Sequence, residues 1–226
     1  MRKINFFVED VKMERSMKRV LVVLMVAALA TVSQAGAITS LFGNMDFETG
    51  GVSNPFKGFD DPDIAEWDNY PAGPMGDGGV EGPGAWWGTY DGNSAFMFSP
   101  GAATNDSSYV IQAGDVFTVE FMAKDYSDPW FTASQGEWTV SFYYDDPANV
   151  IGSYATGIIG SDAWISFASG AIAATPESVG GTLGMLLSST ASSVAMIDDI
   201  SVTVVPEPAT MVLLGLGALV SLKKRK

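Results

Sequence analysis

The sequence predicts an all-β fold, an antiparallel β-sandwich, on three observations. Apolar residues between positions 36 and 205 alternate with period two, no long stretch shows the 3.6-residue period of a helix, and Gly, Asn, Asp and Pro clusters punctuate the runs. From Val116 to Ala123, Phe117, Val119, Phe121 and Ala123 share one face while Thr118, Glu120 and Met122 share the other. Trp138, Val140, Phe142 and Tyr144 repeat the pattern, as do Ile200, Val202 and Val204. One-sided strands of this kind pack their apolar faces together, so the expected core holds Phe117, Val119, Phe121, Trp138, Val140, Phe142, Ile200 and Val202. Turns are expected at Tyr90-Asp91-Gly92-Asn93, Gln112-Ala113-Gly114-Asp115, Asp145-Asp146-Pro147 and Gly180-Gly181. Between Asn54 and Gly88 the composition is mostly Gly, Pro and Asp with aromatics, which predicts long irregular loops.

The two ends read as targeting segments. Lys18 and Arg19 precede a largely apolar run from Val20 to Val32, followed by Ser33-Gln34-Ala35 with Gly36 behind it. A basic flank, a short apolar run and a small-x-small break make residues 1–35 a secretory signal peptide, to be cut by signal peptidase; cleavage after Ala37 also satisfies the rule, and Met17 is an alternative start of translation. At the other end stand Pro206-Glu207-Pro208, an apolar stretch running to Leu222, and Lys223-Lys224-Arg225-Lys226. Residues 209–222 span only ~21 Å as a helix, short of a ~30 Å hydrocarbon core, which suits a transient transmembrane stop. The basic cluster would remain cytoplasmic by the positive-inside rule.

Charge and composition exclude several functions. The chain has no histidine and no cysteine, which removes a Ser-His-Asp triad, histidine-bound transition metals, disulfides and thiol catalysis. Between residues 36 and 205 lie 22 of the 26 acidic residues and two lysines, Lys57 and Lys124, a formal charge of −20. That charge repels nucleic acid and favours cations or neutral sugars.

The tripeptide, the short hydrophobic stretch and the terminal basic cluster together resemble the PEP-CTERM sorting signal. The resemblance implies recognition by an exosortase through Pro206, Glu207 and Pro208, a precursor anchored in the inner membrane by the C-terminal helix, and a mature form that is extracellular or on the cell surface. Within residues 36–205, Asn44-Met45-Asp46-Phe47-Glu48, Asp91-Gly92-Asn93-Ser94-Ala95, Ala113-Gly114-Asp115 and Met196-Ile197-Asp198-Asp199-Ile200-Ser201-Val202 resemble the galactose-binding-like jelly roll shared by carbohydrate-binding modules. Met45 departs from the glycine usual at its position. The resemblance implies a structural calcium ion joining the first and last strands through Glu48 and Asp199, with Asp198 taking over if a bulge shifts the strand phase.

Glycan binding needs flat aromatic faces with polar groups close by. Trp86, Trp87, Tyr90, Tyr126 and Trp130 lie in or beside expected loops, near Asp91, Asn93 and Asp128, and of these Trp86, Trp87, Tyr90 and Trp130 are the candidate glycan contacts. Catalysis by a carboxylate pair has no selecting motif, because so many acids satisfy the ~5 to 9.5 Å spacing by chance. The expectation is therefore a non-catalytic exported protein, glycan-binding within an extracellular polysaccharide matrix, with a secreted polysaccharide hydrolase as the alternative.

Overall fold

The computed structural model describes residues 35–49, 65–70, 78–84, 88–98, 101–126, 136–189 and 194–206. The strands in chain order are β1 (Gly36–Ala37), β2 (Asp68–Asn69), β3 (Gly78–Glu81), β4 (Ser94–Phe98), β5 (Gly101–Val110), β6 (Val116–Tyr126), β7 (Thr139–Tyr144), β8 (Asp146–Ala155), β9 (Ile165–Ala168), β10 (Ile172–Ala173), β11 (Thr182–Ser189) and β12 (Val194–Val205). Among the described residues helix is confined to 3-10 turns at Thr39–Leu41 and Pro176–Ser178, and no helix is long and apolar enough to cross a membrane. The expected leader helix and the apolar stretch 209–222 lie outside the described residues.

All strand pairs are antiparallel, as the period-two pattern requires. One sheet runs β10-β6-β12-β4-β3, with β9 also on β6 and β1 also on β12; the other runs β2-β5-β11-β7-β8. Each of the two long strands of the first sheet has a partner broken into two pieces. Along β6, the gap between β9 and β10 is filled by Ser169, whose N–H donates to the Val119 carbonyl at 2.8 Å and whose Oγ accepts from the Val119 N–H at 2.9 Å. Along β12, β4 pairs with Val194 to Ile197 and β1 with Thr203 and Val204, and between the two the strand bulges at Asp198 to Ser201. Asp199 sits there at φ +49°, the left-handed conformation that an aspartate tolerates better than most residues.

The eight residues expected in the core are all buried there. Phe117 packs on Phe142 across the sandwich at 5.5 Å between ring centroids. Trp138 extends from the second sheet to donate its indole N–H to the Met196 carbonyl of the first at 3.1 Å, so its one polar atom is satisfied inside the core.

The outward faces depart from simple alternation in two places. Tyr143 points out from β7 yet is buried, because Gly184 stands directly opposite on β11, where an added Cβ would come within 2.2 Å of the ring. Its hydroxyl donates to Asp106 Oδ1 at 2.6 Å. On β12, Val194, Met196 and Asp198 also point out and are also buried. Trp164 and Phe96 cover the first two. A further difference lies in the stretch expected to be irregular: Gly78–Glu81 forms an edge strand on β4 and puts Val80 into the core. Two glycines in four residues carry no strand propensity, so pairing rather than local preference makes that strand.

Candidate functional site

One end of the first sheet gathers the acidic residues. Asn44 and Phe47 adopt positive φ, 47° and 56°, and fold Asn44 to Glu48 into a tight loop. The Asn44 amide holds that loop closed: Nδ2 donates to the carbonyls of Thr49 at 3.0 Å and Ala65 at 2.9 Å, and Oδ1 accepts from the Thr49 N–H at 2.8 Å. Met45 has no positive φ and its side chain joins the core, so nothing at this position demands the glycine of the jelly-roll pattern. The Met45 carbonyl accepts from the Ile200 N–H at 3.1 Å, which fastens the loop to β12 just past its bulge.

The segment from Gly88 to Asn93 arrives from the other side. Glu48 Oε1 accepts from the Asn93 N–H at 2.5 Å, and Asn93 Nδ2 donates to the Phe47 carbonyl at 3.4 Å. Gly92, at φ +59°, is required here, because a Cβ would collide with the Glu48 carboxylate. Asp198 lies beneath, fully buried: its Oδ2 accepts from Ser94 Oγ at 2.7 Å and from the Asp91 N–H at 3.4 Å, and its Oδ1 from the Asp199 N–H at 2.8 Å. Burial pushes the Asp198 carboxyl up to about 6 against these hydrogen bonds, which favour its charged form. Asp199 is also raised, by desolvation first and then by the charges of Asp91, Asp46 and Glu48. The structure thus brings the two expected calcium residues, Glu48 and Asp199, into one acidic cluster. Among the described residues, no group of three or more acids forms a finished metal cage. Beside the cluster opens a cleft of about 710 Å³ of mixed character, whose lining includes Phe42, Met45 and Ile200 as well as Asn44, Asp46 and Asp199.

The raised Asp198 has a measurable sign. The folded domain holds this proton more tightly than the unfolded chain, so Asp198 favours folding most below about pH 4 and loses that advantage as the pH rises to about 6. Urea midpoints of the parent should therefore fall across this interval by more than those of Asp198→Asn, which retains an acceptor for Ser94. Equal slopes in the two proteins would remove Asp198 as the cause.

The same Gly88–Asn93 segment carries a second cluster, on the outer face of the first sheet. Tyr90, 45% exposed, packs on Trp164 with centroids 5.6 Å apart. Trp164 rests on Phe96, Val194 and Met196. The Lys124 ammonium lies 5.2 Å from the centre of the Trp164 ring. Lys124 is itself 5% exposed; burial lowers its pKa, and Glu81 and Asp162 oppose that shift. An exposed aromatic face such as that of Tyr90 can stack on the apolar side of a sugar ring.

Of the aromatic residues expected to bind glycan, Tyr90 stands at this cluster, whereas Trp86, Trp87 and Trp130 lie outside the described residues; Tyr126 is the last residue of β6, paired with Val194. Trp164 was not anticipated. Its signal was there, an aromatic residue straight after the Asp162–Ala163 bend and ahead of a strand, but it falls outside any alternating run. Pro206 directly follows β12, and Glu207 and Pro208 lie outside the described residues.

Residues 204–226 match the PEP-CTERM protein-sorting motif. No curated protein matches the chain. Among solved structures, it is similar to the arabinose-bound MgGH51 α-L-arabinofuranosidase, with TM-score 0.51 and 13% identity over 73% of this chain and 26% of that one. The match thus spans about a quarter of the arabinofuranosidase and shows a shared fold. Weaker similarities reach the CBM22-1 xylan-binding domain of Paenibacillus barcinonensis Xyn10C (TM-score 0.41, 12% identity, 66% of this chain and 92% of that one) and the K1 cleaved adhesin domain of Lys-gingipain from Porphyromonas gingivalis (TM-score 0.41, 13% identity, 75% and 97%).

Proposed function

We propose that this chain is an exported, non-catalytic surface protein, delivered through its PEP-CTERM tail, whose sandwich binds glycan at the Tyr90–Trp164 face. Signal peptidase and an exosortase are its processing partners, and an extracellular polysaccharide is its ligand. The observation that carries the reading is the exposed Tyr90 ring packed on Trp164 above Lys124, in a domain whose fold is shared with a carbohydrate-active enzyme. Calcium completes the picture as a structural ion, with Glu48 and Asp199 as its holders. The donors are all oxygen, as calcium requires, and the charges of Asp91, Asp46 and Glu48, which add to desolvation in raising Asp199, are what a divalent cation relieves. The ion would also steady the ligand face, because one short segment carries both Asn93, bonded to Glu48, and Tyr90.

Affinity electrophoresis of the exported protein through gels of single polysaccharides tests the glycan reading. One of them should retard the parent, and Tyr90→Ala or Trp164→Ala should weaken that retention about tenfold, as loss of a central aromatic contact does. Retention unchanged in both variants would place binding elsewhere. Clearing of the polysaccharide would favour the hydrolase.

A further inference from the structure

The sandwich ends where the sorting tail begins. Val205 is paired with Val116 on β6, and Pro206 is the next residue. The sorting-motif match starts at residue 204, so its first two residues are inside a β-ladder. The other edge of this half of β12 is covered by the N-terminal segment. Gly36 lies opposite Val204 and Ala37 opposite Thr203. The Ile38 N–H donates to the Val202 carbonyl at 2.9 Å, Thr39 Oγ1 accepts from the Val202 N–H at 2.9 Å and donates to its carbonyl at 3.3 Å, and Ile200 is bonded to Met45. Ile38, Phe42 and Met45 anchor the segment in the core. Residues 36–45, which directly follow the expected leader, are thus laced along residues 200–204.

An enzyme that takes its substrate as an extended strand adds its own edge to the substrate's edge. From Ser201 to Val204, β12 has no such edge to give: β6 occupies one side and the N-terminal segment the other. We infer that residues 36–45 are a clamp in cis that sets the upstream limit of tail processing at Pro206. The inference rests on the sorting reading above. The tail reaction breaks one peptide bond, and the new acyl end passes to water or to an amine acceptor; the clamp determines which bonds are reachable.

The test uses the full chain, expressed in an export-competent bacterium that carries an exosortase, with C-termini of the surface protein read by intact mass. The parent should show one C-terminus, at Pro206 or beyond. Thr39→Val removes the hydroxyl that serves both backbone groups of Val202 and keeps a β-branched side chain. Losing one net hydrogen bond opens the clamp about fivefold more often, so C-termini within residues 201–205 should rise by about that factor. Ala37 and Thr203 form a non-hydrogen-bonded pair, within reach of a disulfide, so Ala37→Cys with Thr203→Cys should suppress those products even alongside Thr39→Val. Carboxypeptidase digestion of the purified protein gives a second readout: trimming should halt near Pro206 in the parent and run through Val202 in folded Thr39→Val. Surface protein that keeps Lys223 to Lys226 overturns the sorting reading, and the clamp is then judged by carboxypeptidase. Upstream ends in the parent, or identical ends and identical trimming in parent and variant, overturn the clamp.

Discussion

Replacing Phe121 with alanine should destabilise the protein by ~3 to 5 kcal/mol, whereas Thr118→Ala, one turn of the pleat away on the opposite face, should cost under ~1 kcal/mol. Phe121 is buried at the middle of β6, stacked on Phe167 of β9 at 5.7 Å and meeting Tyr154 of β8 edge-on at 6.2 Å. Its ring therefore joins the two sheets at the side where β6 has a broken partner. Removal leaves a cavity that the paired strands around it cannot close, which is why the cost exceeds the transfer energy of the ring alone. Thr118 is half-buried on the outer face, with Thr203 opposite it on β12. Denaturant unfolding of both variants measures the difference, and equal losses would mean that the faces of β6 are reversed.

Calcium should raise the melting temperature of the protein more than magnesium does at the same ionic strength. An ion that binds only the folded state adds ~2.7 kcal/mol of stability at one hundred times its Kd, enough to move a melting curve by several degrees. General screening weakens repulsion among all exposed charges and is the same for both ions, so it cancels in the comparison. Magnesium demands a tight octahedral shell and sheds water reluctantly, which a loop of Glu48, bonded to Asn93, and a bulge at Asp199 are poorly shaped to supply. Glu48→Gln combined with Asp199→Asn should erase the calcium increment. If the double variant retains it, the ion binds elsewhere; if the parent shows none, there is no calcium site.

The core was legible because period two survives on the inward faces of β6, β7 and β12, where burial leaves no choice of residue type. The outward faces were harder to read. Tyr143 is buried through a glycine on a neighbouring strand, and such a pairing is a long-range fact with no local trace. Lys124 and Trp164 likewise meet only because β6 and the turn before β9 converge, although each was visible singly as a rare lysine and an isolated tryptophan. At the acidic cluster, Glu48 and Asp199 could be named from a family resemblance, but Asp198 turned out to be the buried one. The bulge decides that. It sets the phase of β12, and sequence alone leaves the phase open at a run of two aspartates.

The burial of Lys124 bears on how long this domain can persist outside a cell. Between residues 36 and 205 the sites available to trypsin-like proteases are Lys57 and Lys124, and such enzymes need an accessible, extended substrate. Lys124 is locked within the β6 ladder, paired with Met196 of β12 directly after the Ala123–Ile165 pair with β9, and lies over the face of Trp164. Folded, the domain therefore withholds Lys124, so cleavage after Lys124 reports global opening rather than surface attack. The scarcity of basic residues that makes the domain so acidic thus also leaves trypsin-like proteases few places to cut.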